Sequence, residues 1–193
     1  MTRSTNRKAG GTAREKMIEA FWQCLGRTSY DKLTVAQIVR EAGLNRNSFY
    51  YHFEDIDSMS RSVVAEALDR DFLRKAFALL HDRSTPLDFS PGGDIDLRIE
   101  RMCLIASDRS SVALQKMLRD AMTEIWCETL GIEIEKLSNG DRLVFEFNLG
   151  GILALLAYRA NTSEDFAFND VMLSDFGKGI MASLESIAKS PVD

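Results

Sequence analysis

Two helix-starting residues, Thr34 and Asn45, stand on either side of a single glycine, Gly43. Thr34-Val35-Ala36-Gln37 is a capping box, in which a hydroxyl accepts from a free backbone amide and a side-chain amide three residues on reaches back. In the helix that follows, Val35, Ile38, Val39 and Ala42 fall on one stripe, while Gln37, Arg40 and Glu41 point away. Gly43 lets the chain turn sharply through a positive φ, and Asn45 is placed to cap the next helix. That next helix, predicted over Asn45 to Phe53, turns Phe49 and Phe53 toward a core. Asn47, Tyr50 and Tyr51 lie on its opposite face, with Arg46 at the edge. A helix that buries two phenylalanines yet exposes these groups makes sense if the outer face is itself a contact surface. Two helices joined by a short glycine turn, the second carrying such a face, form a helix-turn-helix. Arg46 and Asn47 have the chemistry to reach base edges in a major groove. Ser48, Tyr50, Tyr51 and His52 offer hydroxyls and a ring N–H to phosphate oxygens.

A further helix is expected upstream from the capping box Thr12-Ala13-Arg14-Glu15. Ala13, Met17, Ile18, Ala20, Phe21, Cys24 and Leu25 share its broad apolar face, and Gly26 follows as the C-cap. With only 3 prolines, 12 glycines and no alternating runs of β-branched residues, the whole chain of 193 residues reads as all-α. The net charge of -5 hides an asymmetry. Residues 1–53 carry nine basic and four acidic side chains, or +5, which leaves -10 for the remainder. A basic head on an acidic body suggests that only the head meets a polyanion.

Catalysis finds little support. The two histidines are His52, inside the third helix, and His81, with no metal-spaced partner. No nucleophile elbow, zinc-protease, phosphate-loop or dinucleotide pattern is present. Cys24, Cys103 and Cys127 are odd in number and widely spaced, so neither a metal nor a disulfide framework is expected, and no cofactor. Buried free thiols in a reducing cytoplasm are the expectation. The polar, basic start MTRSTNRKAGG is unlike a signal peptide, and the apolar stretch Leu143 to Tyr158 is short for a bilayer, so no membrane partner is expected.

The run Leu33-Thr34-Val35-Ala36-Gln37-Ile38-Val39-Arg40-Glu41-Ala42-Gly43-Leu44-Asn45-Arg46-Asn47-Ser48-Phe49-Tyr50-Tyr51-His52-Phe53 resembles the signature of the TetR family of bacterial repressors. That signature joins an alanine-glycine turn to a hydroxyl residue, an aromatic pair, His and Phe, and the likeness covers roughly residues 12 to 60. It implies that Thr34, Arg46, Asn47, Ser48, Tyr50, Tyr51 and His52 lie at or near double-stranded DNA. It further implies a homodimer on a palindromic operator, released by a small-molecule effector. An architectural helix-turn-helix protein, or an activator without an inducer, is the alternative. One position departs from the pattern. Where the family usually has a phosphate-binding lysine, this chain has Ile56 within Glu54-Asp55-Ile56-Asp57, and the basic arm Arg3, Arg7 and Lys8 is a candidate to compensate.

The reading divides the chain into residues 1–56, the DNA-binding domain with its arm, and residues 57–193, a ligand-binding and dimerisation body. In the body a long helix is expected from Asp57 to about Asp82, then a loop over Ser84 to Asp94. Helices follow at about 95–106, 110–130, 141–159 and 165–189. The helix from Asp141 to Arg159 is apolar almost all round and needs partners on every side, and the resemblance implies that it and the last helix form the dimer seam. Its polar exceptions, Glu146 and Asn148, can anchor a ligand in a buried pocket, or sit at a solvent-exposed edge or hydrogen-bond across the dimer. Met102, Cys103, Met122 and Trp126 are either pocket lining or plain core.

Overall fold

Each helix of the head starts where a side chain takes up amides that the first helical turn leaves free. The computed structural model describes residues 11–74, 94–162 and 174–189. The basic arm, the 75–82 end of the helix expected from Asp57, the Ser84–Asp94 loop short of its last residue, and the 165–173 part of the last expected helix lie outside the described residues. Helix α1 is Ala13–Leu25. Thr12 Oγ1 accepts from the Glu15 amide at 3.2 Å and the Glu15 carboxylate accepts from the Thr12 amide at 2.8 Å. The face α1 buries is Met17, Ala20, Phe21, Trp22, Cys24 and Leu25. Trp22, absent from the expected stripe, joins it edge-on to Phe21 with ring centroids 5.3 Å apart. Gly26 is the C-cap, in ordinary right-handed conformation.

Helix α2, Val35–Glu41, begins at the Thr34 capping box, and helix α3, Arg46–His52, begins at Asn45, whose Oδ1 accepts from the Ser48 amide at 3.0 Å. Between them Gly43 takes φ +66°. Its amide donates to the Arg40 carbonyl at 3.2 Å and the Leu44 amide donates to the Val39 carbonyl at 2.8 Å. This crossed pair closes α2 as a Schellman motif, which needs a left-handed residue at the glycine. Ile38, Val39, Phe49 and Phe53 are buried. Arg14 lays its guanidinium over the Phe53 ring, 5.8 Å from the centroid, and donates to Ser62 Oγ at 3.3 Å.

Helix α4 is Ile56–Ala67, and the chain's two compact units divide within it, residues 1–63 and residues 64–193. The expected helix from Asp57 to Asp82 is not continuous. It stops at Ala67, and a new helix begins at Arg70, because Asp69 accepts from the Phe72 amide at 2.9 Å and caps it. The second unit also contains α5 (Asp94–Ala106), α6 (Val112–Leu130), α7 (Asn139–Asn161) and α8 (Asp175–Ala188). No strand occurs among the described residues. Serines cap three of these helices: Ser111, Ser138 and Ser174 each accept from an amide three residues on. Among the described helices α5 and α7 pack together most extensively, and α8 lies against α7 and α6. Ile105, Leu114, Leu118, Ile125, Phe145, Leu149 and Leu184 fill the core they share.

Candidate nucleic-acid interface

The outer face of α3 is amphipathic at the level of single side chains. Phe49 is fully buried, and beside it Tyr50 is 57% and Tyr51 85% exposed. Arg46, Asn47 and His52 are exposed as well. The rings support one another: Phe49 meets Tyr50 edge-on at 5.5 Å and Phe53 at 5.7 Å, while Tyr51 meets His52 edge-on at 4.9 Å. The buried phenylalanines therefore hold a short helix whose outward groups are two phenols, an amide, an imidazole and a guanidinium. That set donates and accepts hydrogen bonds and stacks, which suits a polar, anionic partner.

Two of the seven sequence-predicted residues are engaged locally. The Thr34 hydroxyl accepts from the Gln37 amide at 3.2 Å and donates to Gln37 Oε1 at 2.9 Å. Ser48 Oγ donates to Asn45 Oδ1 at 3.2 Å. Both hydroxyl protons serve helix starts, so these residues act first as caps. Lys32 and Arg40, which sequence reasoning counted as charge but did not nominate, are exposed and, like Arg46, hold no ion pair among the described residues. Arg27 differs, since its Nη1 is spent on the Glu41 carboxylate at 3.2 Å. A cation without an ion pair keeps its full field for a polyanion.

The acids around Ile56 have structural work. Asp55 Oδ1 accepts from the Ser58 amide at 2.6 Å, and the Asp55 amide donates to Ser58 Oγ at 3.1 Å, so Asp55 starts α4. The bond from the Ser58 amide holds the Asp55 carboxyl below its ordinary pKa. Asp57 Oδ1 accepts the Tyr30 hydroxyl at 2.5 Å, and Ser60 Oγ lies 2.8 Å from the same hydroxyl. Burial, then the bond to Asp57, pushes the Tyr30 phenol up to about 12. The segment that lacks the lysine thus ties the turn at Tyr30–Lys32 to the start of α4.

In the body the six candidate ligand residues separate, with Cys103 and Met122 buried in the core. Met102 and Trp126 are buried, the latter edge-on to Phe145 at 5.9 Å. Asn148 is buried and donates from Nδ2 to the Val144 carbonyl and to Ser183 Oγ, both at 2.9 Å. Glu146 is exposed and pairs with Arg119 at 2.6 Å, so it takes the solvent-exposed reading rather than that of a buried anchor. Cys24 and Cys103 are buried and Cys127 half-buried, all as free thiols. Burial raises all three thiols, Cys103 to about 11, which keeps them protonated and unreactive. The apolar stretch expected to be short for a bilayer is part of the 23-residue α7, which by length and composition alone is sufficient to cross a membrane.

Residues 17–63 match the family described as bacterial regulatory proteins, tetR family. The chain is 36% identical over 67 residues to an uncharacterized HTH-type transcriptional regulator of Haemophilus influenzae, a stretch that covers 34% of this chain and 33% of that protein. The match thus spans about a third of the relative's length and is of the size of the head alone. No solved structure matches the chain. Over residues 17–63, within the helix-turn-helix head, the chain is thus similar to the tetR family of bacterial regulatory proteins.

Proposed function

We propose that the protein is a cytoplasmic transcriptional repressor that binds a palindromic DNA operator as a homodimer and leaves it when a small molecule binds the body. The observation that carries the DNA-binding reading is the α3 surface, where Arg46, Asn47, Tyr50, Tyr51 and His52 stand exposed on a helix pinned from behind by Phe49 and Phe53. In this reading Arg46 and Asn47 read bases and the tyrosines and His52 grip phosphates, with Thr34 and Ser48 holding the helix starts. Lys32 and Arg40 supply part of the charge that the family lysine would have brought.

The dimer is supported by the second unit taken by itself. Leu143 and Phe147 on α7 are 72% and 78% exposed, and Tyr158 on α7 and Phe176 on α8 are about half exposed. At 100° per residue Leu143, Phe147, Ala154 and Tyr158 fall within one stripe of α7, with Gly150 among them. An apolar stripe of this kind on a charged chain calls for a protein partner, and a twofold dimer presents the same stripe from each copy. Two heads then meet half-sites about 34 Å apart. The effector shifts the population toward a state in which the heads are wrongly spaced, a coupling of about 1–3 kcal/mol. The functional division proposed is a head to residue 56 and a regulatory body from 57.

Footprinting the full chain on DNA flanking its own gene, at moderate and at low salt, tests this reading. A protected palindrome is the expected result, with protection lost on addition of an effector from a broad screen. Uniform coverage without a palindrome would point instead to an architectural binder, and no protection at either salt overturns DNA binding at that locus.

A further inference from the structure

We infer that Tyr30 is a positioning residue for DNA binding and that through it Lys32 meets a backbone phosphate beside the start of α2, an assignment that rests on the DNA-binding reading and adds a contact to it. Tyr30–Lys32 is a single turn of 3-10 helix. The Lys32 amide donates to the Ser29 carbonyl at 2.9 Å and the Leu33 amide to the Tyr30 carbonyl at 3.0 Å, which closes it. Beyond the turn, Leu33 and Thr34 have extended backbone, along which side chains alternate in direction. Leu33 is buried in the core, and Lys32 and Thr34 on either side of it are exposed. The two outward residues stand about 7 Å apart along the chain. Asp31, the exposed acid next to Lys32, is about a third of a turn away round the 3-10 helix and points elsewhere.

A single turn keeps its place only where it is anchored, and this one is anchored at both ends. Leu33 in the core is one anchor. The other is the Tyr30 hydroxyl, which donates to Asp57 Oδ1 at 2.5 Å and lies 2.8 Å from Ser60 Oγ. Asp57 and Ser60 belong to α4, whose start is itself held in the head. Asp55 and Ser58 cap it reciprocally, Ser60 is buried with its hydroxyl donating to the Asp57 carbonyl at 3.0 Å, and Met59 is fully buried. The phenol, pushed up to about 12 by burial and then by its bond to Asp57, keeps its proton and stays a donor at any working pH. Lys32 lies between the two anchors, so its flexible stem leaves a fixed backbone. Fixing that root reduces the freedom the ammonium must lose when it settles on a phosphate. Tyr30 carries no charge and is half-buried, so it acts on DNA through the turn.

Fluorescence anisotropy of the full chain on a mixed-sequence duplex, over a series of salt concentrations, tests the assignment, because phosphate contacts do not depend on sequence. Lys32→Gln is expected to weaken binding about fivefold to tenfold near about 0.1 M salt and to reduce the salt slope by about one for each bound head. Tyr30→Phe removes no charge, yet it should lower the slope by a similar amount, a change that lost stability alone would not produce. Lys32→Gln made in the Tyr30→Phe background should then cost little more. If Tyr30→Phe does not fold, the exposed Asp57 carries the test. Asp57→Asn and Asp57→Ala remove the same charge, but only the amide oxygen still accepts from Tyr30, so the Asn variant should bind DNA more tightly than the Ala variant. A Tyr30→Phe slope equal to that of wild type, additive effects of Tyr30→Phe and Lys32→Gln, or equal binding by the two Asp57 variants each overturns the assignment and leaves the DNA-binding reading standing. No binding by wild type at any salt removes that reading, and this contact with it.

Discussion

In the head, Tyr50 and Tyr51 stand in solvent on a seven-residue helix; in the body, Leu143 and Phe147 stand in solvent on one of 23 residues. The chemistry of the two exposures differs. The head shows phenols, an amide and a guanidinium, groups that would lose hydrogen bonds to water unless a polar partner replaced them. The body shows side chains that can only gain by leaving water. Exposed aromatic area therefore means two things in one chain, and the polar atoms at its edge decide which partner it fits. Support differs too. The head's surface rests on local caps and two phenylalanines, whereas the body's rests on packing between helices far apart in sequence.

Phe147→Asp tests the apolar side of this contrast and carries the largest effect. The proposed dimer would lose two buried rings, about 3–6 kcal/mol in all. Sedimentation should show a monomer, with the head's helicity intact, and an unchanged dimer would remove the α7 stripe from the interface. Substitutions on the polar side should cost binding without stability. Tyr50→Ala is expected to weaken binding to all DNA, and Asn47→Ala to relax preference at one base per half-site, each by about 1–3 kcal/mol. A fall in melting temperature matching the loss of binding would make these residues structural instead.

Gly43→Ala isolates the turn. Nothing lies within 4 Å of a Cβ placed there, so the cost of about 1–2 kcal/mol is that of a positive φ alone. Urea denaturation should report it, and a neutral substitution would mean that the turn relaxes to another geometry. The smallest effect is confined to alkaline pH. The Tyr30 phenol is raised to about 12, so the stability it contributes is complete below the ordinary tyrosine range near 10 and is lost as pH rises toward 12. Tyr30→Phe should be less stable than wild type at neutral pH and flatten the stability profile over that alkaline window. An unchanged profile would detach Asp57 from the role given to it here.

The features legible from the residues alone were those closed over three or four positions. Thr12, Thr34 and Asn45 cap their helices as the spacing predicts, and Gly43 takes the positive φ that the turn requires. Such bonds depend on local backbone geometry, which a short stretch of sequence specifies. The inward and outward faces of α3 were legible for a related reason, since a polar-apolar alternation has a phase. Where that phase is missing the residues fall silent. On α7, apolar nearly all round, nothing in the pattern distinguishes Glu146 from Asn148, yet one is exposed and the other buried against Ser183 on α8. The stop at Ala67 and the restart at Arg70 were hidden in a continuous helical pattern, in which Asp69 reads equally well as an exposed acid. The bond from Tyr30 to Asp57, across 27 positions, turns an apparent electrostatic fault into a structural tie. The sequence by itself determined the helix starts, the turn and the chemistry of the outer α3 face, because these follow from neighbours along the chain. Only the tertiary structure decided which polar groups of the body are buried and which are paired, because those outcomes depend on what packing brings alongside.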